Sequence, residues 1–161
     1  LLKELPSELI KTSSDNIFVS GFSNLSRTKS TGKDFFKYLL SSIEGHLQRS
    51  ELIIDTKDNQ ITLEEIYPQD PAIEWSATDL DADDIYKFGN ATILKGKDNG
   101  AGSNKPIKDK YEIYLNSKLM INSNLIKVID DNGGKWNKTA ILKRERDLSS
   151  VALEVWKLKV W

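Results

Sequence analysis

Apolar residues recur with helical periodicity in several parts of this chain. In residues 34–48 they follow each other at spacings of three and four, the pattern of a helix with one buried face. The positions are Phe36, Leu39, Leu40, Ile43 and Leu47. Similar stripes run through residues 104–120 and 138–156, so the sequence predicts helices there. A further helical tail is predicted for residues 1–11.

The pattern changes in the segments between these helices. Residues 51–66 contain β-branched residues and a turn signal at Asp58-Asn59, which predicts a short strand or a hairpin bent at that turn. Residues 12–33 are rich in Ser, Thr, Asn and Gly and are predicted to be mostly loop. The order of helices, a short strand pair and helices predicts an α+β fold in which helix predominates.

Length and composition limit the classes of protein to which this chain can belong. The chain has 161 residues, enough for one compact domain, and we interpret it as a fragment of a longer protein. We expect a helical N-terminal region, residues 1–56, to pack on residues 57–161. Without cysteine there is no thiolate zinc site and no cysteine nucleophile, and the single histidine, His46, excludes a multi-histidine metal site. No apolar run reaches the roughly 20 residues of a membrane helix, so we expect a cytoplasmic protein with no membrane partner.

Charge is distributed unevenly along the chain. Residues 1–50 carry seven basic and five acidic residues, a net of +2, whereas residues 51–100 carry four and twelve, a net of −8. Residues 101–161 carry twelve and seven, a net of +5. An acidic middle beside a basic end suits a site that holds a cation and faces a polyanion, although two solvated faces would give the same numbers.

Three short motifs stand in a fixed order within the acidic middle and the segment after it. They are Glu64-Glu65-Ile66-Tyr67-Pro68-Gln69, then Gly89-Asn90-Ala91-Thr92-Ile93-Leu94, then Asn99 followed by Asn104-Lys105-Pro106. Matching tail positions follow at Lys110, Tyr111, Trp136, Ile141, Arg144, Leu148, Ala152 and Trp156. This series resembles the HNH nucleases, and more closely the C-terminal domain of GmrSD-type modification-dependent restriction enzymes. The resemblance covers roughly residues 34–161.

The resemblance implies a fold and a set of roles. The fold is a ββα-metal core, with a short β-hairpin, within residues 57–161. Glu64 and Asn99 would hold one Mg²⁺ or Mn²⁺ ion, because these hard cations prefer oxygen ligands. Asn90 would anchor the loop by hydrogen bonds to backbone. The implied activity is metal-dependent hydrolysis of DNA phosphodiesters in restriction or phage defence.

The chain departs from the family pattern at the position of the general base. Where the family has Glu-His, this chain has Glu64-Glu65, so the catalytic position falls to Glu65. A carboxylate is a weaker base than imidazole at neutral pH and adds a negative charge facing the phosphate. Two alternatives therefore remain open. One is a weakened nuclease, and the other is a catalytically degenerate domain that binds DNA or forms a complex.

The expected partners are DNA, possibly modified, and an N-terminal NTPase or sensor region of the same longer protein. Several lysines near the third motif are candidates for phosphate contacts, since lysines and helix N-termini bind phosphate. They are Lys95, Lys97, Lys105, Lys108 and Lys110. A cluster of this kind is otherwise a solvated face.

Overall fold

The computed structural model describes residues 15–49, 61–96, 98 and 104–156. These ranges contain the helices α1 (Asp15–Ser23), α2 (Lys33–Leu47), α3 (Ile107–Asn116), α4 (Met120–Asp131) and α5 (Lys138–Val155). The two strands are β1 (Ile61–Glu65) and β2 (Ala91–Lys95), and short 3₁₀ turns cover Ile73–Ala77, Asp84–Tyr86 and Phe88–Asn90. The mostly helical α+β fold is confirmed. The helix predicted for residues 1–11 lies outside the described residues.

The two strands form an antiparallel sheet with Ile61 opposite Lys95 and Glu65 opposite Ala91. The strand predicted within residues 51–66 is thus confirmed at its C-terminal end. Its partner is β2, which follows a connection of residues 66–90, and the turn proposed at Asp58-Asn59 lies outside the described residues. The sheet brings the first two motifs together, because Glu64 pairs with Thr92 across it.

Two of the predicted helices, residues 34–48 and 138–156, are confirmed as α2 and α5. They pack together through one hydrophobic cluster that includes Leu40 and Ile43 from α2 and Leu148 and Ala152 from α5. Trp156 packs against this cluster, whereas Trp136 belongs to a second cluster beneath the residues after β1. These helices therefore pack against the sheet that carries the candidate site residues.

The prediction that residues 12–33 are mostly loop is wrong for α1. Gly21 and several Ser and Asn residues make this segment a weak helix former, but tertiary packing overrides the local preference. Phe22 is buried, and its ring meets that of Phe88 edge to face with centroids 5.1 Å apart. The helix is held by contacts that are distant in sequence.

The helix predicted for residues 104–120 is shorter than expected, and the helix that follows it was not predicted. Lys118 adopts a left-handed conformation with φ of 59°, which ends α3 and turns the chain. The carboxylate of Glu44 in α2 then accepts hydrogen bonds from the amides of Met120 and Ile121 at 2.9 and 2.7 Å. A side chain from another helix thus caps α4.

No helix within the described ranges is both long enough and apolar enough to cross a membrane.

Candidate functional site

The carboxylate of Glu64 is paired with a buried lysine. Glu64 has 5% of its surface exposed and Lys110, on α3, has none. The Lys110 Nζ donates to Glu64 Oε1 at 2.6 Å and to the backbone oxygen of Glu65 at 2.8 Å. The lysine therefore ties α3 to the end of β1 and lies where a cation bound to Glu64 would be expected.

Burial acts on both members of this pair. It raises the pKa of Glu64, and the nearby Lys110 opposes that shift. It lowers the pKa of Lys110, and Glu64 opposes that shift. Burial also raises the pKa of the adjacent Tyr114 well above its ordinary value, with the Glu64 charge adding to the effect. The opposite charges of Glu64 and Lys110 balance each other within the buried pair.

Glu65, to which the resemblance assigns the general-base position, is held by a different cation. Its carboxylate forms an ion pair with Arg27, whose side chain is 1% exposed, and accepts hydrogen bonds from Gln69 Nε2 at 3.0 Å to each oxygen. The Arg27 guanidinium also donates to the backbone oxygen of Thr28 at 2.6 Å and lies over the Tyr86 ring, 5.0 Å from its centroid. The carboxylate is fixed in place with its charge balanced.

Asn90 connects the two motifs through its side chain. Its Oδ1 accepts from the Tyr67 amide at 2.8 Å and from Trp136 Nε1 at 3.0 Å. Its Nδ2 donates to the backbone oxygens of Tyr67 and Ile85 at 2.9 and 3.1 Å. All four contacts are buried, and three of them bind loop backbone, in line with the anchoring role that the family resemblance implies.

The remaining candidates fall into three groups. Asn99 and Lys97 lie outside the described residues. The side chains of Lys95, Lys105 and Lys108 are exposed and can reach a ligand in solvent. The phosphate contact expected of Lys110 does not fit its position, because this side chain is fully buried against Glu64. The apolar aliphatic stem that a lysine carries explains how α3 can bury it.

Of the two ligands that the resemblance implies for a Mg²⁺ or Mn²⁺ ion, Asn99 lies outside the described residues and Glu64 is paired with Lys110. No group of three His, Cys, Asp or Glu side chains within the described residues could hold a metal ion. Magnesium can bind through a single carboxylate, but Glu64 would first have to leave Lys110, and Glu65 would have to leave Arg27. Both carboxylates already have cationic partners.

Arg27 is a residue of this site that was not singled out from the sequence. It stands in a segment of Ser, Thr and Lys residues without a recognisable motif. Its place beside Glu65 follows from the backbone pairing of Ser26 with Lys87 and from the hydrogen bond of the Arg27 amide to Tyr86 at 3.0 Å. These contacts are non-local, so sequence spacing carried no signal for them.

Comparison with known proteins gives one assignment. No curated protein matches the chain. The family model for the C-terminal domain of GmrSD restriction endonucleases matches residues 12–151, which is most of the chain. The match includes both strands, the loop anchored by Asn90 and all but the last turn of α5. The chain therefore belongs to the family of GmrSD restriction endonuclease C-terminal domains.

Proposed function

We propose that this domain binds DNA and that its hydrolytic centre serves a structural role instead of cutting the strand. The observation that carries the proposal is the Lys110–Glu64 pair, with the nitrogen 2.6 Å from the carboxylate oxygen and both side chains buried. Membership of a restriction endonuclease family supports DNA as the ligand. The proposal is the second of the two alternatives that the sequence left open.

Hydrolysis by Glu64 and Glu65 would require both of their ion pairs to break. Cleavage of a phosphodiester requires neutralisation of the charge that develops on the phosphate and a base that activates water. Releasing Glu64 to a metal would leave the Lys110 ammonium buried and unpaired, and breaking a buried ion pair costs about 3–5 kcal/mol. Releasing Glu65 would likewise leave Arg27 without its carboxylate. The two ion pairs therefore oppose the release of Glu64 and Glu65 that metal-dependent catalysis would need.

The rival is a weak nuclease in which Glu65 acts as base and Glu64 with Asn99 holds Mg²⁺ or Mn²⁺. It is favoured by the position of Glu65 at the end of β1, where 17% of the surface of its side chain is exposed. The rival predicts that Glu65→His raises metal-dependent cleavage by about 10²-fold or more, because a positioned base contributes that much. Our proposal predicts no gain, because Lys110 still occupies Glu64.

Exposed lysines at the start of α3 support binding to the DNA backbone. Lys105 and Lys108 are exposed near the helix N-terminus, where backbone amides and the helix dipole favour an anion. Lys95 is exposed at the end of β2. The same proposal includes modified DNA as the ligand and an N-terminal NTPase or sensor region of the longer protein as the partner.

The binding half is tested by fluorescence anisotropy with a labelled DNA duplex across a series of salt concentrations. The double variant Lys105→Gln/Lys108→Gln should weaken binding and reduce the slope of log K against log salt by about one per lysine. Lys118→Gln, at an exposed position just after the C-terminal end of α3, is the matched control and should leave both quantities unchanged. Equal losses in the two variants, or no binding by the wild-type domain at low salt, would contradict the proposal.

A further inference from the structure

A cavity of about 460 Å³ opens beside the start of α3. Its walls come from the 3₁₀ turn Ile73–Ala77, from the first residues of α3 and from the turn that joins α4 to α5. The volume falls within the range of about 300–1,000 Å³ that is typical of small-molecule sites. The described residues that line the cavity do not include Glu64 or Glu65, so it is separate from the two ion pairs.

The floor of this cavity is apolar and is tied to its surroundings by hydrogen bonds. Trp75 and Trp136 are both buried there. The indole Nε1 of Trp75 donates to the backbone oxygen of Lys105 at 3.1 Å. The Thr78 hydroxyl donates to the backbone oxygen of Trp136, also at 3.1 Å. The apolar lining residues that keep more of their surface exposed are Ala77, Pro106 and Ile107. A flat apolar ligand can therefore cover these three side chains.

The charged groups at the cavity favour an uncharged ligand that donates hydrogen bonds. Glu74 and Asp79 line it and are exposed, and Lys135 supplies one positive charge. The Asp79 Oδ1 accepts from the Lys138 amide at 2.9 Å, which fixes this carboxylate at the wall, and Oδ2 can accept from a ligand. Two carboxylates repel a phosphate inside the cavity, whereas they accept hydrogen bonds from the amino group of an uncharged ligand.

We propose that this cavity takes a single base extruded from bound DNA, an inference that rests on the proposed DNA binding. Two lining residues at the start of α3 lie between Lys105 and Lys108 in the sequence, so phosphates on these lysines place the strand at the cavity. The flat base covers the exposed apolar side chains, and its exocyclic amino group donates to Glu74 and Asp79. The cavity thereby holds the uncharged part of a nucleotide whose phosphate stays outside.

The probe is a DNA duplex that contains one 2-aminopurine, an amino-bearing base whose fluorescence rises when it leaves the stack. Binding of the whole domain is followed separately by the anisotropy of a dye at the duplex end. At saturation the 2-aminopurine fluorescence should rise severalfold. A duplex with 2-aminopurine opposite a mismatched base should bind about tenfold or more tightly, because such a base costs less to extrude. Saturated binding without a fluorescence rise would overturn the inference and leave the DNA-binding proposal standing, whereas no binding would overturn both.

Three variants test the assignment to this cavity. Ala77→Phe fills it and should return the fluorescence of the saturated complex to that of free duplex. Ala82→Phe, at an exposed position that does not line the cavity, is the matched control and should keep the full rise. Glu74→Ala removes one acceptor and should lower the preference for the mismatched duplex about fivefold or more, which decides the question if Ala77→Phe does not fold. A full rise in Ala77→Phe, an equal loss in Ala82→Phe, or an unchanged preference in Glu74→Ala would overturn the inference.

Discussion

Glu64 and Lys110 are residues whose burial depends on their mutual contact. An isolated buried charge shifts toward its neutral form or destabilises the fold, whereas a close hydrogen-bonded pair largely offsets the cost. The second hydrogen bond of Lys110, to the Glu65 backbone oxygen, fixes the end of β1 directly. The role of this pair in the described structure is to join α3 to the sheet.

Lys110→Met should therefore lower the free energy of unfolding by about 3–5 kcal/mol, because it leaves the Glu64 carboxylate buried without a partner. The measurement is urea denaturation followed by circular dichroism. The double variant Glu64→Leu/Lys110→Met removes both charges and should recover most of the loss, since apolar replacement of a whole buried pair is often neutral.

Lys108→Met is the matched control for this experiment, because Lys108 lies on the same helix and is exposed. It should change the free energy of unfolding by no more than about 0.5 kcal/mol. A loss for Lys110→Met as small as that of Lys108→Met would show that the ion pair does not hold α3 to the sheet.

Sequence reasoning located some residues of the site better than others. The anchoring role of Asn90 was predicted from the family resemblance, and it agrees with the need of a buried amide for several hydrogen-bond partners. The partners of Glu64 and Glu65 could not be assigned, because Lys110 and Arg27 reach them from 46 and 38 residues away. The spacing of residues within a motif does not indicate contacts with residues so distant in the sequence.

At the scale of elements, α5 is held against α2 by a continuous apolar face. Leu148 is 5% exposed and shares a cluster with Leu40 and Ile43. Leu148→Ala should destabilise the domain by about 2–5 kcal/mol through lost burial and a residual cavity. Leu142→Ala, on the same helix but 53% exposed, should cost no more than about 0.5 kcal/mol. Thermal or urea unfolding measures both, and equal small losses would refute this packing.

The start of α4 depends on Glu44, which is fully buried and accepts from two of its amides. Glu44→Ala should lower the free energy of unfolding by about 2–3 kcal/mol, as expected for loss of a charged cap. Hydrogen exchange should accelerate at the Met120 and Ile121 amides. Glu112→Ala, at an exposed position on α3, is the control. Unchanged exchange at both amides in Glu44→Ala would contradict the capping role.

The accuracy of the helix predictions followed the strength of local signals. The apolar stripes of α2 and α5 are regular, and both helices were predicted from them. The stripe of α4 was also present, at Ile121, Leu125 and Val128, but the segment lacks an N-terminal capping side chain of its own. In α1, packing of Phe22 against Phe88 decides the structure, and neither residue predicts the other.

At the scale of the whole molecule, two observations have to be combined. Family membership indicates a restriction endonuclease domain, whereas the contacts of Glu64 and Glu65 indicate that these carboxylates stabilise the fold. The match over residues 12–151 makes the chain a member of the family of GmrSD restriction endonuclease C-terminal domains. The two ion pairs balance the charges of Glu64 and Glu65, the carboxylates to which the resemblance assigns the hydrolytic roles. We therefore propose that the domain binds DNA and that Glu64 and Glu65 stabilise its fold.

The most direct test of this claim is a single-turnover cleavage assay on duplex DNA that is fully bound by the domain, with Mg²⁺ or Mn²⁺ present. The wild-type domain and Glu65→Gln, which keeps the shape of Glu65 without its charge, are compared on the same DNA. We predict that neither cuts faster than DNA incubated without protein. Metal-dependent cleavage by the wild-type domain about 10²-fold or more above Glu65→Gln would contradict the account and establish Glu65 as a working base.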